Sequence, residues 1–161
     1  MNIDRILQAL ADHDVDYLLI GGVNFMLRHE PELTYDIDIW VADKPSNLEK
    51  VVCFLKSIDA KWGITEDNWK PIADDTGWLT TQSVFCLTSP LGAVDIFREV
   101  KGLEGRFSDC KQTTAMASTS TGVPYWPLSD QHMIEAQEAL PEHQQKPSRI
   151  ESLKKAINAV N

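Results

Sequence analysis

Residues 34–42 read TYDIDIWVA. From Asp36 to Val41 acidic and apolar residues alternate with period two, the spacing of a β-strand with one buried face. Ile37, Ile39 and Val41 are expected to face a core, and Asp36 and Asp38 to share the opposite face. Their Cα atoms would then stand about 6.7 Å apart, near enough for the carboxylates to lean together. Close like charges raise one carboxylate's pKa. A hard divalent cation resolves that conflict by taking oxygens from both acids, so the pair can chelate one ion or bridge two. A solvated strand face produces the same pattern, and Asp-x-Asp alone leaves the two readings level.

A third acid shifts the balance. Asp95 sits in AVDIF, residues 93–97, between Val94 and Ile96. If that strand lies beside the one carrying Asp36 and Asp38, three carboxylates converge, enough for two hard cations and phosphate oxygens. Upstream, Val15 to Ile20 reads as a buried strand that ends at Gly21-Gly22, followed by helical composition from Val23 to His29 and a stop at Pro31. Glycines between a strand and a helix let backbone N–H groups approach a phosphate, and a helix N-terminus favours anions. Thirteen residues lie between Gly22 and Asp36, room for one short helix and a turn. The glycine pair and the acids should therefore lie at neighbouring strand ends.

The remaining chain supplies a frame. Ile3, Ile6, Leu7 and Leu10 have helical spacing, with Asn2 as cap and an end near His13. Ser46 and Glu49 have capping-box spacing ahead of a helix from about Asn47 to Ile58. Residues 60–77 read as irregular. Leu79 to Leu87 and Ala93 to Phe97 read as strands joined at Pro90-Leu91-Gly92, a hairpin pattern. Thr121-Gly122 could turn the Ser/Thr-rich stretch back into Val123 to Leu128, a proline-interrupted edge strand. Two helices follow: about Asp130 to Leu140, capped by Ser129 or Asp130, and about Arg149 to Val160, with Ser148 and Glu151 at capping-box spacing. This order predicts a single mixed α/β (α+β) domain over 1–161, with a core at about 14–128 and a helical appendage at about 129–161.

Composition narrows the function. Fifteen basic against 24 acidic residues leave a formal charge of −9, with no basic block. That argues against a duplex-DNA binder, which must neutralise phosphates with Lys and Arg. It leaves a nucleotide substrate open, because a bound divalent cation supplies positive charge locally. No apolar run reaches membrane-spanning length and no secretory signal is visible. Cys53, Cys86 and Cys110 are too scattered for a disulfide framework or zinc cluster and read as reduced thiols of a cytoplasmic protein. His13, His29, His132 and His143 have no metal-ligand spacing. Trp62, Trp69, Trp78 and Trp126 could line a pocket for a base or acceptor, but aromatic cover for a small sheet is the favoured reading.

Taken together, LLIGGVNFML (18–27), TYDIDIWV (34–41) and AVDIF (93–97) resemble the DNA polymerase β-like nucleotidyltransferase superfamily, most closely its minimal nucleotidyltransferase and abortive-infection toxin-like branch. The match runs from residue 14 to about 98. The resemblance implies a mixed β-sheet flanked by helices, with a C-terminal helical pair. It implies a Mg²⁺-dependent transfer of a nucleoside monophosphate from a nucleoside triphosphate to a hydroxyl acceptor. Asp36, Asp38 and Asp95 would be the catalytic acids and the ligands of two Mg²⁺ ions, with Mn²⁺ as an alternative. Asp95 would deprotonate or orient the hydroxyl, and Gly21, Gly22, Asn24 and Arg28 would bind the nucleotide.

Acceptors open to such an enzyme are a small molecule, an RNA end or a protein, with its walls expected from residues 60–80 and 105–128. A partner protein or homodimer stays open. Two positions depart from the pattern: relatives often carry Arg two residues before the Thr where Glu32 stands before Thr34, and Lys where Gln137 stands. Arg28 and Arg98, or Lys146 and Arg149, are the cations that could substitute. The departures support the alternative of a weak or inactive nucleotide-binding member, such as a toxin–antitoxin component.

Overall fold

The computed structural model describes residues 1–63 and 65–160. Ile64, inside the predicted irregular stretch, and Asn161, the last residue of the predicted domain, lie outside the described residues. Helix α1 spans Ile3–Asp12, with Asn2 Oδ1 accepting the Arg5 N–H at 3.1 Å as the expected cap. Strand β1 (Tyr17–Ile20) passes directly into helix α2 (Gly21–Arg28), which begins at the glycine pair rather than after it. Strand β2 covers Asp36–Val41. Helix α3 (Pro45–Ser57) starts two residues before the predicted boundary, because Pro45 takes the first helical position with its φ already set. Ser46 lies inside the helix, and no side chain caps this end. Asn47 instead ties two loops together: its amide bonds both Asp16 N and Asp16 O, at 2.8 and 2.9 Å, and Ala42 O at 2.9 Å.

Short strands β3 (Lys61–Trp62) and β4 (Lys70–Pro71) pair with each other. The predicted strand from Leu79 is cut to its second half, β5 (Val84–Leu87). Residues Gly77–Thr80 form a 3₁₀ turn, in which the Thr80 and Thr81 hydroxyls donate back to Gly77 O and Trp78 O, the local bonding that competes with strand pairing. Strand β6 is Ala93–Phe97, as read from the sequence. Helix α4 (Phe107–Gln112), which the sequence reading missed, buries Cys110 and sets Phe107 edge-on to Trp40. Strands β7 (Ala117–Ser118) and β8 (Pro124–Tyr125) make a hairpin. Helices α5 (Asp130–Glu138) and α6 (Pro147–Val160) close the chain. Ser129 caps α5, and α6, like α3, opens on a proline ahead of its predicted start.

The main sheet has the order β1-β2-β6-β5. Strands β2 and β6 run parallel, and the outer pairs are antiparallel. The chain beyond β8 docks on the free side of β1, where Leu19 N–H donates to Trp126 O at 2.7 Å and Leu128 N–H to Leu19 O at 2.9 Å. Pro127 between them loses no ladder bond, as an edge position allows. Alternation along the strands splits the core. Ile37, Ile39, Val94 and Ile96 pack with α1 and α3 on one face. Leu18, Ile20 and Trp40 pack with Leu128, Met133, Ile150 and Leu153 on the other. The acids of β2 and β6 belong to this second face, so the C-terminal helices stand over them. No described helix is long and apolar enough to cross a membrane.

Candidate active site

The sheet register brings the three aspartates together. Asp38 pairs with Asp95 across β2 and β6, with Asp36 two residues upstream on the same face. One carboxylate oxygen from each lies within 4.8 Å of the others. Gly21 borders this cluster with a φ of +67°, a conformation L side chains rarely adopt, and a Cβ there would overlap the Asp38 carboxylate, whose Cγ would be 2.7 Å away. At Gly22 a Cβ would sit 2.9 Å from Thr34 Oγ1. That hydroxyl donates to Asp36 O at 3.1 Å and Asp36 Oδ1 at 3.3 Å. The absent side chains at 21 and 22 thus let the start of α2 close against the acids of β2.

Without a cation the cluster is electrostatically strained. Burial, followed by repulsion from Asp36 and Asp95, pushes the Asp38 carboxyl up to about 7, with Arg149 and Lys146 pulling against the rise. Burial and Asp36 push Asp95 up to about 6. Cys86, opposite Asp95 on β5, donates its thiol to Asp95 Oδ2 at 3.5 Å, and burial plus the neighbouring acids raise that thiol to about 11. Three hard oxygen donors facing one point, with Asp38 and Asp95 disfavoured in their ionised forms by burial and by neighbouring carboxylates, fit a divalent cation of the Mg²⁺ or Mn²⁺ kind.

Asp36 and Asp38 open into a cavity of about 700 Å³ together with Gly21, Gly22 and Thr34. Its far side is apolar, formed by Phe97, Val100, Met133 and Leu140, with Glu99 and Glu104 among its charged groups. The stretches expected to wall it, 60–80 and 105–128, contribute only Leu128. Trp62 and Trp78 pack under the other sheet face, where they stack at 5.4 Å and both meet Phe85 edge-on. These tryptophans are aromatic cover. Trp126 lies under Lys111, whose Nζ is 4.0 Å from the ring centroid.

Two residues expected to bind the nucleotide have other partners. Asn24 is fully buried, and its amide donates to Leu128 O at 2.9 Å and to Met133 Sδ. Arg28 also donates to Leu128 O, at 2.9 Å, and pairs with Asp130 at 2.8 Å. Both fasten α2 to the segment leading into α5, and neither lines the cavity. Arg98 is held bidentately by Asp43. Gln137 does line the cavity, and its side-chain oxygen accepts from Lys146 N–H at 3.0 Å.

Glu32, which stands where the resembled family often carries an Arg, is neutralised. Arg149 donates to it through Nε at 2.9 Å and Nη2 at 2.5 Å, and Lys146 through Nζ at 2.7 Å. Although burial works the other way, these bonds hold the Glu32 carboxyl below its usual range. Arg149 and Lys146 line the cavity on the side of Gly22. Sequence reasoning weighed each of these three residues but had no signal that Glu32 and Arg149, 117 positions apart, form one unit. It passed over Thr34 as a contact, although the glycine pair marks a place of close approach.

No protein-family model matches the chain, and no curated protein matches it by sequence. Solved structures do match. The antibiotic-resistance factor ANT(2'')-Ia superposes with a TM-score of 0.57 at 13% identity, covering 99% of this chain and 82% of its own. A Thermotoga maritima protein classed as a nucleotidyltransferase gives 0.54 at 17% identity, covering 98% and 91%. The lincosamide antibiotic adenylyltransferase LnuA, in its lincomycin-bound form, gives 0.54 at 18% identity, covering 95% and 94%. At these identities the likeness is one of fold: the mixed sheet with its flanking helices is the nucleotidyltransferase fold.

Proposed function

We propose that this nucleotidyltransferase-fold protein transfers a nucleoside monophosphate from a nucleoside triphosphate to the hydroxyl of a small molecule, with two divalent cations, Mg²⁺ or Mn²⁺, as cofactors. The observation that carries the reading is the meeting of Asp36, Asp38 and Asp95 beside Gly21 and Gly22 at one end of a cavity. Asp36, Asp38 and Asp95 would hold the cations, whose chemistry is to neutralise phosphate oxygens and acidify an acceptor hydroxyl. Gly21 and Gly22 admit the phosphates to the backbone at the start of α2. Asp95 would take the proton while the acceptor oxygen forms its bond to the α-phosphorus. The bond from that phosphorus to the pyrophosphate oxygen breaks, and pyrophosphate leaves with the electron pair.

A small acceptor suits the walls better than an RNA end. Phe97, Val100, Met133 and Leu140 offer an apolar surface, and the single Lys101 beside Glu99 and Glu104 leaves that stretch with no basic surplus for a phosphate backbone. The test is incubation with Mg²⁺, α-labelled nucleoside triphosphates and a panel of hydroxylated small molecules, RNA and protein. The reading expects label on a small molecule and none with Asp38→Ala. Equal labelling by both proteins, or none with any acceptor, contradicts it.

A second reading draws on the pairing of Glu32 with Arg149 and Lys146, which occupies both cations beside the glycines. It is a nucleotide-binding module without turnover, as one half of a toxin–antitoxin pair would be. Calorimetric binding of a triphosphate with no release of pyrophosphate favours it, and steady pyrophosphate release removes it.

A further inference from the structure

Strand β5 reads VFCL, and its alternation sends Phe85 and Leu87 into the core. Val84 and Cys86 therefore share the face that carries the acids, and Val84 lines the cavity. Cys86 stands opposite Asp95 in the antiparallel register and is exposed. A lysine or arginine at that place would make an ordinary cross-strand ion pair with the acid. The residue present is a thiol, an uncharged and weak donor.

The same choice recurs across the cluster. Among the described residues, the side-chain donors to the three acids are two, and neither is charged: Thr34 Oγ1 to Asp36 Oδ1 at 3.3 Å, and Cys86 Sγ to Asp95 Oδ2 at 3.5 Å. No ion pair among the described residues includes Asp36, Asp38 or Asp95. Asp38, in the middle, is confined by the backbone of Gly21. A charged donor makes a charge-assisted bond and would compete with a divalent cation for the carboxylate. A neutral donor stops the carboxylate from turning and leaves its negative charge for the cation. Asp36 and Asp38 share one strand, whereas Asp95 comes from another, so its meeting with them depends on its side-chain rotation as well as on register.

On the reading of Asp36, Asp38 and Asp95 as a cation site, which this inference presupposes, Asp95 needs a fixed orientation. We propose that Cys86 is a positioning residue whose thiol holds the Asp95 carboxylate in the orientation that completes the site. Cys86 itself bonds neither cation nor substrate. Its effect is to lock a ligand side chain in place before the cation arrives, which is what hydrogen bonds around a metal ligand commonly supply.

The test is Mn²⁺ titration by electron paramagnetic resonance on the full chain, comparing wild type, Cys86→Val and Cys86→Ser. Valine keeps an apolar, strand-forming side chain without a donor. Serine is smaller and restores an O–H in the same place. Cys86→Val is expected to weaken the tightest Mn²⁺ site about threefold or more, the scale of one net hydrogen bond, and Cys86→Ser to stay within about twofold of wild type. A packing role alone gives the reverse order, because valine fills the space and serine does not; that order, or equal affinity in wild type and Cys86→Val, overturns the inference and leaves the enzyme reading standing. Adding Cys86→Val to Asp95→Asn should cost nothing further, since the group it positions is already altered. A full additional loss there means that Cys86 acts by another route and also refutes the assignment. A wild-type chain that binds no Mn²⁺ removes the cation site, and the enzyme reading falls together with the inference. Cys86 is exposed, so neither variant opens a buried cavity, and thermal melts of both should match wild type.

Discussion

Gly21 and Asp38 occupy each other's space: the carboxylate of one fills the volume where a side chain on the other would stand. The backbone at Gly21 is also left-handed, with φ at +67°. Gly21→Ala therefore meets two obstacles, and relief of the overlap displaces the Asp38 carboxylate from its place beside Asp95. The expected result is a loss of about 2–3 kcal/mol of stability together with at least a tenfold loss of Mn²⁺ affinity. Chemical denaturation and a Mn²⁺ titration on the same variant check both. An alanine variant that binds Mn²⁺ like the wild type would show that the contact is incidental.

The acid cluster should make the metal-free protein sensitive to pH. In the unfolded chain Asp38 titrates near 3.8, and in the folded chain near 7. Below the first value both states are protonated and the site imposes no penalty. Between the two the unfolded chain ionises freely while the folded one resists, so stability falls as pH rises from about 4 to about 7. Asp95 adds to the fall in the same direction, over a window ending near 6. Asp38 and Asp95 titrate together, and their combined effect, discounted for solvent screening at the less buried Asp95, is about 2–4 kcal/mol. Melting curves across this range, with a chelator present, should show the decline, and Asp38→Asn should flatten most of it. Mg²⁺ should restore stability at pH 7 and do little at pH 4.

Removing Glu32 isolates the buried Arg149. Glu32→Ala leaves the guanidinium without its counter-ion and should cost about 2 kcal/mol or more, since an uncompensated buried charge is the expensive outcome. Glu32→Gln keeps an acceptor for one N–H and should cost less. Thermal melts of the two variants side by side test the order, and equal losses would mean that charge is not the reason.

Asn47 supplies a control that affects the fold and not the chemistry. Its amide satisfies Asp16 N, Asp16 O and Ala42 O at the far end of β2 from Asp36. Asn47→Ala should lower stability by about 2–3 kcal/mol by leaving buried polar groups unpaired. Mn²⁺ binding should remain intact in whatever fraction is folded. A specific loss of binding would tie this loop to the site in a way its hydrogen bonds do not indicate.

What could be read from the sequence was local and periodic. The alternation of DIDIWV and AVDIF marked both strands and assigned every acid to its face, and Asn2 and Ser129 marked helix starts by their hydroxyl or amide acceptors. Gly21-Gly22 signalled close approach, though not that Asp38 was the neighbour. Helix α4 escaped notice because six residues carry barely more than one helical turn of pattern. The cavity walls escaped because Phe97, Val100, Met133 and Leu140 are ordinary apolar residues, given their role by how α5 and α6 dock on the sheet. Glu32 read alone is a repulsive charge. Its meaning changes only when the fold delivers Arg149 to it. The resemblance implies Asn24 and Arg28 as nucleotide ligands, whereas helix α2 turns both toward Leu128.

The account depends most on the claim that Asp36, Asp38 and Asp95 form one cation site. Mn²⁺ titration by electron paramagnetic resonance, on the wild type and on Asp36→Asn, Asp38→Asn and Asp95→Asn, addresses it directly. Each single substitution should weaken the tightest Mn²⁺ site at least tenfold while the chain stays folded. An Asp95→Asn protein that binds Mn²⁺ as tightly as the wild type would contradict the claim.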